Sequence, residues 1–208
     1  MEIMVLKKAS SCILLGCALL FLLNGGARGA SPSTDAKTVE LQLSDLELWD
    51  QDGKNVRFKT DVIGDRVAAI VPFYTNCTTA YPILIFVFGK LQEHLGELLG
   101  KEVVLVSVSV DPRTDIPVRL KAFASRKKAR PGWVFVSGER NNLAKILDGI
   151  GVQYIVGQSL DEHNHIPLTM VGDPRGTWKR FYGYPSPEVL LEEIRRLLAS
   201  RGEQAPKE

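Results

Sequence analysis

Two stretches of strand length, RVAAIVPFY at 66–74 and EVVLVSVSV at 102–110, are almost unbroken in apolar residues. Such runs suit strands covered on both faces, because a half-exposed strand alternates apolar with polar positions. Between them Leu84, Phe88, Leu91, Leu95 and Leu98 recur at spacings of four and three. That spacing predicts an amphipathic helix within 78–99, with Pro82 in its first turn, where a missing N–H is tolerated. Strand, helix and strand in this order imply a parallel pair joined by a right-handed crossover. The chain is therefore expected to be α/β.

The flanking segments extend this unit. VELQLSDLELWDQDGKNVRF alternates on either side of Asp52-Gly53, the pattern of an N-terminal β-hairpin. After Val110 the prolines of DPRTDIP stop the strand, and Asp115 is expected to cap a helix running to about Lys127. WVFVSG reads as a short strand and ERNNLAKILDGIG as a short helix ended by glycine. Residues 151–165 read as a connecting loop. IPLTMVGD and TWKRFYGY form a second hairpin about Pro174-Arg175-Gly176, and PEVLLEEIRRLLASR a last helix capped by Ser186. The sum is a central mixed sheet with helices on both faces.

The first 29 residues follow a different logic. Lys7 and Lys8 precede the apolar run CILLGCALLFLL, and a small-residue stretch follows. That order is an export signal, expected to be cleaved after Gly29, because about a dozen apolar residues fall short of the roughly 20 a spanning helix needs. The competing readings are an uncleaved anchor or a lipoprotein through Leu14-Leu15-Gly16-Cys17. Residues 30–38 are expected to be a flexible tether, 39–201 the domain, and 202–208 a disordered tail. The expected location is the periplasm or its membrane face, with membrane contact only through an uncleaved or lipidated N-terminus.

Cleavage leaves 23 basic residues of 26 and 23 acidic ones of 24, since Lys7, Lys8, Arg28 and Glu2 are lost. A net charge near zero gives no footing for nucleic acid. It also removes Cys12 and Cys17, so Cys77 remains alone and no internal disulfide can form. Cys77 lies between a strand and a helix, where unpaired N–H groups and the helix dipole favour a thiolate. The plainer alternative is a small core residue.

FYTNCTTAYP at 73–82, SVDPRTDIP at 109–117 and HIPLTMVGDP at 165–174 resemble, in order and spacing, the Sco/SenC family of copper-delivery and thiol proteins. The resemblance covers roughly residues 40–200 and implies a thioredoxin-like fold. It further implies a copper site of two cysteines and a distant histidine, and a role in building the copper centre of cytochrome oxidase. Carried over, Cys77 matches the first cysteine and His165 the histidine, whereas the second cysteine falls on Tyr81. Asn164 stands where the family usually has aspartate, and Ile116 where it usually has threonine.

These departures shape the expected chemistry. Two thiolates one helical turn apart suit Cu(I), and a phenol in place of one is a hard donor whose ring would crowd the site. His163 lies on the same side as His165 if the segment is extended, which would make a set of Cys77, His163 and His165; the alternative is that EHNH is a solvated loop. His94 reads as helix surface, RKKAR at 126–130 as a solvated helix end, and ILIFVF at 83–88 as core or an apolar partner surface. The expected function is an exported Sco/SenC-like accessory protein with an incomplete copper site. Its partner would be a cytochrome oxidase subunit or a thiol or metal protein. Two alternatives stand beside it: a single-thiol peroxidase or mixed-disulfide reductase using Cys77, and a metal-binding module.

Overall fold

The computed structural model describes residues 36–152 and 167–204. The expected leader at 1–29, the start of the tether, and the 153–166 segment with His163, Asn164 and His165 lie outside the described residues.

The two apolar runs become β4 (Val67–Phe73) and β5 (Val103–Ser109), and every residue of both is buried. They pair in parallel, Val67 opposite Val103 through Phe73 opposite Ser109. Successive side chains on a strand point to opposite faces, so complete burial means that both faces are covered. Between them lies α1 (Tyr81–Leu95), whose Leu84, Phe88, Leu91 and Leu95 are buried and whose Pro82 sits in the first turn. Each such buried side chain contributes about 1.5–3 kcal/mol of hydrophobic stabilisation. A 3-10 turn at Gly96–Leu98 ends the segment.

Six further strands among the described residues extend this unit. β1 (Ala36–Val39) pairs antiparallel with β8 (Trp178–Tyr182), which pairs with β7 (Leu168–Gly172). β7 pairs antiparallel with β4. On the other side β6 (Trp133–Ser137) pairs parallel with β5, and the hairpin of β2 (Glu47–Asp50) and β3 (Asn55–Arg57) closes that edge against β6. The result is one eight-stranded mixed sheet in the order β1-β8-β7-β4-β5-β6-β2-β3. It is flanked by α1, α2 (Pro117–Arg126), α3 (Arg140–Gly149) and α4 (Pro187–Gln204). No helix among the described residues is long and apolar enough to cross a membrane.

Local chemistry explains the corners. Asp50 Oδ1 accepts the N–H groups of Asp52 (2.8 Å) and Lys54 (2.9 Å), holding the first hairpin around Gly53 at φ 77°. In the second hairpin Trp178 lies across Gly172, its register partner, where any Cβ would collide with the indole. A π-helical segment at Phe58–Ile63 follows β3.

Three details differ from expectation. β1 takes in Ala36, Lys37 and Thr38 from the expected tether, because ladder pairing with β8 needs only backbone groups; those three side chains are exposed. Residues 40–46, read as part of the first hairpin, carry no regular structure. α4 runs to Gln204, three residues into the expected tail.

α1 and α2 both bear on the face of β6 that carries Trp133 and Phe135. Phe88 of α1 meets Trp133 at 6.1 Å between ring centroids, and Phe123 of α2 meets Phe135 at 5.8 Å. α1 follows the carboxyl end of β4 and α2 that of β5, and Cys77 lies between β4 and α1.

Candidate thiol and metal site

β4 ends at Phe73, and the chain then makes a tight turn in which the Cys77 N–H donates to the Tyr74 carbonyl at 3.2 Å. Cys77 is half-buried, packed against the core edge, and carries a free thiol. It lies in this turn, four residues before the first helical residue, so Cys77 and Tyr81 do not share a helix face as the spacing suggested.

Helix α1 has no side-chain cap: Ala80 stands at the cap position. Burial pushes the Cys77 thiol up, but the N–H groups of Thr79 and Tyr81, the Tyr74 phenol and the Thr79 hydroxyl hydrogen-bond to it and hold it below its ordinary value. The Thr79 hydroxyl lies 3.7 Å from the sulfur. N–H groups turned on a sulfur just ahead of a helix favour its anionic form.

Tyr81, the first residue of α1, is 2% exposed and belongs to the core cluster. Its ring meets Tyr74 edge-on at 5.7 Å. Burial first, and then the nearby Cys77 and Tyr74 charges, raise its phenol well above the usual tyrosine value. A phenol so reluctant to ionise is a poor metal donor. Among the described residues no group of three or more His, Cys, Asp or Glu is placed to hold a metal ion. The described donors of this site, one thiolate and one neutral phenol, do not fit a two-thiolate Cu(I) centre. The candidate ligands His163 and His165 lie outside the described residues.

Asp115 is the principal correction. It does not cap α2; Ile116 occupies the cap position, and no side chain caps that helix. The Asp115 carboxylate is fully buried and turns back to the thiol loop, accepting the Thr75 hydroxyl at 2.5 Å and the Thr75 N–H at 3.2 Å. Its other oxygen accepts the Ser109 hydroxyl at 2.6 Å. Burial raises its carboxyl above the ordinary value, and the bonds from Ser109 and Thr75 oppose that rise. Thr75, Ser109 and Tyr74 were not singled out as functional residues from sequence. One signal was present: Ser107 and Ser109 interrupt an otherwise apolar strand at a spacing of two, and each meets a buried partner, Ser107 accepting the Trp133 indole N–H at 3.0 Å.

The remaining candidates resolve simply. His94 is exposed on α1. Arg126 and Lys127 lie over the Phe123 ring at the end of α2, consistent with a solvated basic helix end. Within ILIFVF, Leu84, Ile85, Val87 and Phe88 are buried, while Ile83 and Phe86 are exposed.

No match was found among curated proteins. Solved structures similar to this chain include a SCO1/SenC family lipoprotein from Bacillus anthracis, 25% identical, with a TM-score of 0.64 over 78% of this chain and 98% of that one. BsSco, described as a member of the Sco family of cytochrome c oxidase assembly proteins with a disulfide switch, is 22% identical, with a TM-score of 0.64 over 78% and 96%. Bradyrhizobium japonicum ScoI with copper bound is 22% identical, with a TM-score of 0.59 over 76% and 99%. The last two establish the shared thioredoxin-like fold. The SCO1/SenC family model matches residues 35–199, nearly the whole described domain, and the chain belongs to the SCO1/SenC family.

Proposed function

We propose that this chain is an exported accessory protein of cytochrome oxidase assembly that keeps the SCO1/SenC scaffold and handles copper weakly. The single observation that carries the reading is the buried Tyr81 phenol beside the Cys77 thiol, where the family pattern calls for a second cysteine. Family membership and copper-bound relatives such as ScoI support copper as cargo. Cys77 and His165 are the proposed ligands, with His163 a further candidate. A single soft donor with one imidazole lacks the second thiolate that makes such a site tight for Cu(I), and it cannot cycle between dithiol and disulfide within one chain. The proposed partner is a cytochrome oxidase subunit, or a thiol or metal protein, met on the exported side.

A second reading draws on the hydrogen bonds to the sulfur. A thiol held below its ordinary value is a ready nucleophile, so Cys77 could attack a partner's disulfide, forming a mixed disulfide and releasing the partner's other thiol, or attack peroxide, giving a sulfenic acid and water. Cu(I) titration against a competing chelator separates the two readings. The chain lacking residues 1–29 should bind one Cu(I) weakly, and Cys77→Ser and His165→Ala should each abolish that binding. Binding that survives both substitutions would overturn the copper assignment. Peroxide turnover without copper binding would favour the single-thiol reading.

A further inference from the structure

The Asp115 carboxylate reaches the thiol loop from a different part of the chain. It lies beyond β5, forty residues from Thr75 in sequence, fully buried, with no cation among the described residues hydrogen-bonded to it. Its bonding capacity is spent on two segments. On one side it takes both the backbone N–H and the hydroxyl of Thr75; on the other it takes the hydroxyl of Ser109, whose oxygen in turn accepts the Asp111 N–H at 3.0 Å.

Thr75 is the second residue of the turn that runs from Tyr74 to Cys77. The Cys77 N–H closes that turn on the Tyr74 carbonyl at 3.2 Å, so a clamp on Thr75 fixes the place of the sulfur at its end. Burying a carboxylate without a cation is costly, and its retention is unexplained by helix capping, since α2 has no side-chain cap.

We propose that Asp115 is a positioning residue for the Cys77 site, holding the Tyr74–Cys77 turn through Thr75 so that the sulfur stays in place ahead of α1, beside the Thr79 hydroxyl. The inference rests on Cys77 being the working group of the site, but not on copper. Ser109 is the second arm of the clamp, tying the carboxylate to the end of β5. Loss of the Thr75 hydroxyl loosens the turn while leaving the backbone N–H in place. The sulfur is then no longer held in one place at the end of the turn.

The test uses the full chain carrying Cys12→Ser and Cys17→Ser, so that iodoacetamide reports Cys77 alone. Alkylation rates at neutral pH are compared for Thr75→Ser, Thr75→Val, Asp115→Ala and the double variant Thr75→Val/Asp115→Ala, with the chemical denaturation midpoint measured for each. Thr75→Ser should react within about twofold of the parent, and Thr75→Val should differ from it by at least about threefold without a matching loss of stability. The double variant should depart from the parent no further than the more affected single one, because both substitutions cut the same link. Thr75→Val reacting like the parent, or Thr75→Ser departing as far as Thr75→Val, would overturn the proposal. If Asp115→Ala fails to fold, the threonine pair still decides. Since no metal enters the assay, its failure would leave the copper reading standing, and the reverse also holds.

Discussion

At the scale of single residues the site is governed by what Tyr81 replaces and by what surrounds the sulfur. Its ring fills core volume at the first position of α1, so Tyr81→Cys removes a buried aromatic and should lower stability by about 2–4 kcal/mol, measured by chemical denaturation. Tyr74→Phe keeps the ring and its edge contact but removes the hydroxyl that reaches Cys77. It should slow Cys77 alkylation at neutral pH by about two- to threefold, and an unchanged rate would show that the phenol does not serve the sulfur. Cys77 was legible because a lone cysteine between an apolar strand and an amphipathic helix has few structural reasons to be there. Its place in the turn ahead of the helix was legible too, but not the gap that separates it from Tyr81, since Pro82 in the first turn fits several helix starts. Asp115 was misread for a physical reason: an aspartate two residues before a helical proline satisfies the sequence rule for a cap, and only the fold brings Thr75 within its reach.

At the scale of elements, the segments that hold α1 and α2 are linked near the thiol by Asp115, which joins the turn before α2 to the turn before α1, and at the far end by Gln92. Gln92 of α1 is buried and bridges to the chain just beyond α2, donating to the Lys128 carbonyl at 3.1 Å and accepting the Arg130 N–H at 3.1 Å. The chain between those contacts places Lys128 at φ 53°, the one positive φ outside glycine among the described residues. A left-handed lysine costs about 1–2 kcal/mol, part of which glycine would return as unfolded-chain entropy. Lys128→Gly should therefore raise stability by about 0.5–1 kcal/mol in thermal unfolding. A loss of stability would mean that the lysine side chain makes a compensating contact. The central elements were legible because unbroken apolar strands and a spacing of three and four are strong local signals. β1 was not: its side chains are exposed, and its pairing with β8 is long-range and carried by the backbone.

At the scale of the whole molecule, buried and half-buried acids set how the fold answers pH. Burial works against the Asp173 carboxylate, yet Arg201 and Arg175 outweigh it and hold its pKa down to about 2. A depressed carboxylate stabilises the fold above its unfolded value, near 4, and that contribution disappears as pH falls toward 2. Asp173→Asn should remove about 1–2 kcal/mol at pH 7 and flatten the stability profile between about pH 4 and 2. A profile as steep as that of the parent would contradict the assignment. Asp115 has the opposite sign: burial raises its folded pKa, so its share of stability is present at low pH and is lost as pH rises through that raised value. A molecule that keeps such a group at neutral pH gives up stability at the position that anchors its thiol loop.

The most direct measurement is the Cu(I) affinity of the chain lacking residues 1–29 beside that of its Tyr81→Cys variant, under reducing conditions and with the fold of each verified. The account expects weak binding in the parent and a gain of at least about 100-fold in the variant, because one substitution supplies the missing soft donor. Tight binding in the parent, or no gain on placing a thiol at 81, would contradict it.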